Sequence, residues 1–217
     1  MKKTILVLMI AMLTFVSKAY AEVTYGISAA LTSIDASGTE TEGGEKNSSS
    51  ADNTVVIPSL FAEYAYSDKL SVGLDFIPLS ADVSDKTKQR TDTETSVTGT
   101  TTTTSTTRVQ KAQAELENHL TLYANYMLGE TLFFKAGVAY VEVSGPTLAT
   151  GSKYGSEEFY GTVFGFGLKQ DKMRFEVIST MYEDIELTSS VARAGVTTNN
   201  KIEADLDTVQ LKLSYAF

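Results

Sequence analysis

The chain has 217 residues, with 18 Lys and Arg against 27 Asp and Glu, one His, no Cys and no Trp. A net charge of −9 argues against a nucleic-acid partner, which needs a basic face. The absence of cysteine excludes disulfides and any lipid carried on a cysteine, and the length suits a single domain.

The first segment predicts export. Lys2 and Lys3 precede an apolar run over residues 5–16, and Ala19-Tyr20-Ala21 follows as an A-x-A site, so residues 1–21 read as a removable signal peptide. A membrane anchor would need nearer 20 apolar residues. The mature domain is then 22–217, more acidic still, because the leader holds three lysines and no acid. No later stretch has 18 consecutive apolar residues, so a membrane role would have to come from strands.

Eight segments read as strands, at residues 23–34, 54–66, 70–81, 110–127, 131–144, 156–168, 173–188 and 201–217. Their connections alternate. Ser67-Asp68-Lys69, Leu128-Gly129-Glu130 and Lys169-Gln170-Asp171-Lys172 are short, whereas 35–53, the Thr-rich 82–108, 145–155 and 189–200 are long and polar. Each strand exceeds the 9–11 residues that cross a bilayer when tilted. The pattern predicts an all-β fold: an eight-stranded antiparallel up-and-down transmembrane β-barrel, with short periplasmic turns, long extracellular loops and both termini on the periplasmic side.

The faces agree. Leu70, Val72, Leu74 and Phe76 oppose Ser71, Gly73 and Asp75. Leu116, Leu120, Leu122, Ala124 and Tyr126 oppose Glu115, Glu117, His119, Thr121, Tyr123 and Asn125. Tyr160, Phe164, Phe166 and Leu168 oppose Gly161, Val163, Gly165 and Gly167. Tyr64, Tyr66, Tyr126, Phe175, Tyr215 and Phe217 fall near short turns or the chain end, as one interfacial aromatic belt requires, with Tyr140, Tyr160 and Met181 as candidates for the other.

The Thr-rich stretch ends in Thr100-Thr101-Thr102-Thr103-Thr104-Ser105-Thr106-Thr107 and buries too little apolar surface to pack by itself. It reads as a solvated loop or a recognition surface. Because Thr favours extended backbone, its flanks are also candidates to prolong the third and fourth strands. The 35–53 stretch is acidic through Glu40, Glu42 and Glu45.

The last strand places Val209, Leu211, Leu213, Tyr215 and Phe217 on one face. This tail resembles the C-terminal assembly signal of bacterial outer-membrane proteins, with Leu211, Leu213, Tyr215 and Phe217 in the signal positions. Over its mature length the chain is similar to the small outer-membrane barrels of the OmpA-transmembrane-domain, OmpX and OmpW kind. The resemblance implies a non-enzymatic envelope protein in a Gram-negative-type outer membrane: structural, porin-like for small solutes, or, alternatively, an adhesin working through its loops. Its implied partners are outer-membrane lipid and lipopolysaccharide and the barrel assembly machinery, with the chain a monomer.

The inward candidates are Glu63, Asp75, Glu115, Glu117, His119, Lys135, Arg174, Glu176 and Lys212. In a lumen as narrow as eight strands allow, mixed charges read as an internal polar network, and a narrow solute path is the functional alternative. Gly137, Gly161, Gly165 and Gly167 are expected to leave room inside. A hydrolase would have to use His119 with Glu117, and no GxSxG, HExxH or paired-Asp signature is present. No catalytic residue, cofactor or metal site is expected. A soluble lipocalin-like barrel would need an apolar inward face, and here the apolar residues lie opposite the charges.

Overall fold

The structure is a computed structural model that describes residues 23–42, 44–84, 88–98, 102–112, 114–144, 154–190 and 199–217. The expected signal peptide lies outside these residues, as do 145–153 and 191–198 of the expected loops. The strands are β1 Val23–Glu42, β2 Glu45–Ala65, β3 Leu70–Ile77, β4 Ala81–Asp82, β5 Lys88–Thr98, β6 Thr102–Ala112, β7 Glu115–Met127, β8 Leu132–Ser144, β9 Glu157–Gln170, β10 Met173–Tyr182, β11 Ile185–Thr188 and β12 Lys201–Ala216.

Eight of these form the wall in the order β1-β2-β3-β7-β8-β9-β10-β12, every neighbouring pair antiparallel, and β12 pairs back onto β1 from Gly26↔Ala216 to Thr41↔Lys201. Phe217 completes the seam by donating its N–H to the Tyr25 carbonyl at 2.8 Å. The result is a closed antiparallel barrel with no free edge around its ring. The short strands β4 and β11 prolong β3 and β10 and pair with β7 and β12.

Two polar stretches that the sequence assigns to loops are strands, the Thr-rich one being the stretch whose flanks Thr already made candidates for extended backbone. Residues 35–42 and 45–53 continue β1 and β2 to the pair Glu42↔Glu45, and β12 follows them, so a sheet stands beyond the rim on this side. Within the Thr-rich stretch, β5 and β6 pair from Lys88↔Ala112 to Thr98↔Thr102 as a two-stranded ribbon. Residues 110–112 therefore belong to β6, and the wall strand begins only at Glu115. Ser and Thr support extended backbone, but a strand that is polar on both faces lacks the apolar alternation that identifies one.

Inside and outside are inverted relative to a water-soluble barrel. Along β12, Val209, Leu211, Leu213, Tyr215 and Phe217 are exposed, while Thr208, Lys212, Ser214 and Ala216 are buried. Along β10, Met173, Phe175, Val177 and Met181 are exposed, while Arg174, Glu176, Ile178 and Thr180 are buried. The apolar band is about nine residues tall on both strands, the length that crosses a bilayer at a tilt.

One strand breaks its own alternation. Between Glu117 and Leu120 the β7–β8 register shifts, and Asn118 adopts φ 51°, a left-handed conformation that Asn tolerates better than most residues. Before the bulge Leu116 faces inward; after it Thr121, Tyr123 and Asn125 do. Replacing Asn118 by Val is expected to cost about 1–2 kcal/mol through backbone strain. Asn118→Gly, which loses the same 2.9 Å bond from Nδ2 to Glu142 Oε2, should keep most of that stability. Equal losses in urea titrations of the refolded variants would refute the strain account.

Candidate functional site

The half of the lumen nearer the short turns holds three acids and three bases, all buried among the described residues. Arg174 on β10 reaches Glu63 on β2 in bidentate fashion, Nη1 to Oε2 at 2.5 Å and Nη2 to Oε1 at 2.8 Å. Lys135 on β8 meets Glu176 on β10 at 2.5 Å, and Lys212 on β12 meets Asp75 on β3. Each charge thus has a partner of opposite sign, the condition under which burial is tolerable.

Neutral groups complete the set. Asn125 Nδ2 donates to Glu63 Oε2 at 2.9 Å and Tyr123 Oη to the same oxygen at 3.2 Å, while Ser59 Oγ donates to Asp75 at 3.3 Å. The Lys135 ammonium lies 4.1 Å from the centroid of the Tyr123 ring, and the Arg174 guanidinium 5.2 Å from that of Phe61. Above this layer His119 Nε2 and Tyr182 Oη are 2.9 Å apart. Tyr182 is missing from the inward candidates, although it continues the parity of Arg174, Glu176 and Thr180 within the expected strand at 173–188. Tyr123 and Asn125 were legible as inward residues two and four places after Thr121.

The structure brings together Glu63, Asp75, Lys135, Arg174, Glu176 and Lys212, and sets His119 above them. It does not bring in Glu115 and Glu117. The bulge at Asn118 reverses the alternation before it, so both carboxylates lie on the outer side, where Glu117 stands beside Glu142 and Glu142 beside Glu158. Leu116, expected outside, faces inward for the same reason. The expected pairing of Glu117 with His119 on one face fails with it.

The glycines do not leave room. Large rings on neighbouring strands occupy the space. A Cβ on Gly167 would lie 2.2 Å from the Phe133 ring, one on Gly73 2.5 Å from the Tyr123 ring, and one on Gly26 2.3 Å from the Phe61 ring. The cavity beside His119, lined by Asp75, Thr121, Tyr123, Lys135, Gln210 and Lys212 among others, is about 20 Å³, room for about one water. Toward the loop end the lumen is apolar, filled by Ile34, Leu116, Val141, Val143, Phe159 and Leu206 with their neighbours. Toward the turn end it opens into a vestibule of about 620 Å³ whose rim carries Lys69, Lys169 and Lys172 beside Asp68 and Asp171.

The belt residues lie on the outer wall. Tyr66, Tyr126, Phe175, Tyr215 and Phe217 are exposed and Tyr64 half-buried. Tyr140 and Tyr160 pair their rings at 5.7 Å at the other edge of the apolar band, with Met181 exposed at a similar height. Just beyond that edge, Asp52, Asp35 and Asp207 stand abreast on β2, β1 and β12. Outside the band, burial and the nearby Glu40, which accepts its hydrogen bond at 2.9 Å, push the Tyr154 phenol up from its ordinary range.

No family model and no curated protein matches the chain. Among solved structures it is similar to Ail, the attachment invasion locus protein of Yersinia pestis, at 10% identity and a TM-score of 0.37, covering 88% of this chain and 99% of that one. It is also similar to the outer membrane protein AlkL, solved by solid-state NMR in lipid bilayers, at 14% identity and a TM-score of 0.45, covering 93% of each chain. At these identities and scores, neither bears on what this chain binds.

Proposed function

We propose that the mature chain, from Glu22, is a monomeric, non-enzymatic barrel of a Gram-negative-type outer membrane, a closed scaffold that carries the polar sheet and ribbon at its loop end. The observation that carries this reading is the inversion of the wall: exposed apolar side chains outside and three buried ion pairs within. In water such a barrel would expose its apolar face and hide its charges; in a bilayer both are satisfied. Lipid and the inner zone of lipopolysaccharide then contact the wall, and Leu211, Leu213, Tyr215 and Phe217 face outward along the closing strand, where an assembly machinery would meet them.

Between passage of solutes and a surface role, the filled lumen favours the second. A path narrowed to about one water and capped by apolar side chains offers no continuous aqueous route. The notable loop-end feature is the sheet of β1, β2, β11 and β12, which supplies a surface for recognition.

The test is refolding of residues 22–217 into detergent and then into planar bilayers. The expected result is a band that migrates faster unheated than boiled, with no discrete conductance steps. Steps would overturn the closed-scaffold reading. A chain that stayed soluble without detergent and showed no heat shift would overturn the membrane reading itself.

A further inference from the structure

The ring is closed, but β2 is not fully partnered. Its residues 60–65 pair with β3 on one side and β1 on the other, whereas 45–59 pair only with β1 among the described residues. Beyond the rim this leaves residues 45–52 as an open sheet edge whose N–H and C=O groups invite another strand. Neither a proline nor a bulge blunts it there.

A candidate strand is rooted beside that edge. Asn53 Nδ2 donates to the Asp82 carbonyl at 2.8 Å, which holds β4 against β2 just where the open edge begins. In sequence β4 is followed by β5, and β5 pairs with β6 as β4 pairs with β7. A ribbon of two strands is marginal in water by itself and gains from a third.

Charge points the same way. The sheet beyond the rim is acidic: Asp35, Glu40, Glu42, Glu45 and Asp52 on β1 and β2 stand against Lys46 alone. The ribbon carries Lys88 and Arg90 at the root of β5, with Lys111 opposite Gln89 on β6, while farther out Arg108 stands opposite Asp92. The basic end of one segment is therefore tethered next to the acidic edge of the other.

We propose that β5 closes onto the free edge of β2, antiparallel and in continuation of the β2–β3 register, so that the ribbon and the β1–β2–β12 extension form one sheet above the barrel. Carried outward from Leu60↔Phe76, that register sets Lys88 beside Ser48 and Arg90 beside Lys46. The edge is thus taken by the chain's own ribbon, and the ribbon becomes a rigid shelf. The Thr91, Thr93 and Thr95 row of β5 then shares one face with Thr103, Ser105 and Thr107 of β6.

The chain has no cysteine, so pairs can be introduced cleanly. The full mature chain carrying Ser48→Cys with Lys88→Cys is compared with Ser48→Cys paired with Thr98→Cys at the ribbon tip. Both are refolded into lipid vesicles, checked by heat-shifted migration and oxidised. The first pair should form its intrachain disulfide roughly tenfold faster or more, because a docked strand raises the effective concentration of the thiols. Equal rates, or disulfides only between molecules, would overturn the proposal. Hydrogen exchange on the unsubstituted barrel gives an independent reading. Alternate amides over residues 45–52 that do not face β1 should be protected, and free exchange there would overturn it too.

Discussion

Arg174→Ala should be the most damaging single change in the lumen, costing about 3–5 kcal/mol. The arginine gives Glu63 two hydrogen bonds at 2.5 and 2.8 Å, and both side chains are buried. Its removal leaves a carboxylate with the neutral donors Asn125, Tyr123 and Ser71 and no opposite charge in contact. Those neutral donors place the loss toward the lower end of the range. Removing both charges is a different matter, since uncharged side chains of similar volume replace a buried pair at little cost. Glu63→Gln with Arg174→Met should therefore recover most of what Arg174→Ala loses. Urea unfolding of the refolded barrels in lipid vesicles measures both. A double variant no better than the single one would mean that packing around Arg174, including its stacking over Phe61, outweighs the charge.

Gly137→Val is the second large effect, and its cause is backbone rather than side chain. A Cβ at Gly137 would stand 2.3 Å from the Leu122 carbonyl oxygen and 2.9 Å from the Tyr123 Cα, both on the neighbouring strand β7. No rotamer relieves that contact; β7 and β8 would have to part at the very place where Tyr123 turns inward. The expected cost is about 3 kcal/mol or more, at the upper end of overpacking effects. Gly129→Ala is the control. It sits in the turn between the same two strands with nothing within 4 Å of the added carbon, so its unfolding midpoint should stay within about 0.5 kcal/mol of the parent. Comparable losses at both positions would remove the clash as the explanation.

The wall was legible in the sequence because it obeys one rule without exception over most of its length. Strands such as β9 and β12 alternate apolar and small or polar residues at period two, and the bilayer makes that alternation obligatory. The interior charges on such strands, Arg174, Glu176 and Lys212, could be placed from parity alone. Glu115 and Glu117 could not, because a single residue in a left-handed conformation reverses parity without changing composition. The extension of β1 and β2 and the β5–β6 ribbon were hidden for a different reason. Residues 37–42 and 45–50 carry no apolar side chain, and the ribbon few, so a strand there leaves no periodic trace. The glycines misled in a third way. Absence of a side chain records only that space is needed, and the rings of Phe61, Tyr123 and Phe133 that use it come from other strands.

The wiring of the three ion pairs constrains how such a wall can be built. They join β2 to β10, β3 to β12 and β8 to β10, and the partners in the first two are 111 and 137 residues apart in the chain. None of these pairs joins neighbouring strands, so a partial sheet lying in lipid would hold its charges without their counterparts, each against hydrocarbon at a cost of about 2.5–3.5 kcal/mol or more. The Glu63–Arg174 and Asp75–Lys212 pairs reach across the ring and form only as it closes, whereas Lys135 and Glu176 are separated by β9 alone. The lumen acts as a lock on completeness: what it rewards is the finished circumference, and a ring one strand short is penalised far beyond the contacts it lacks.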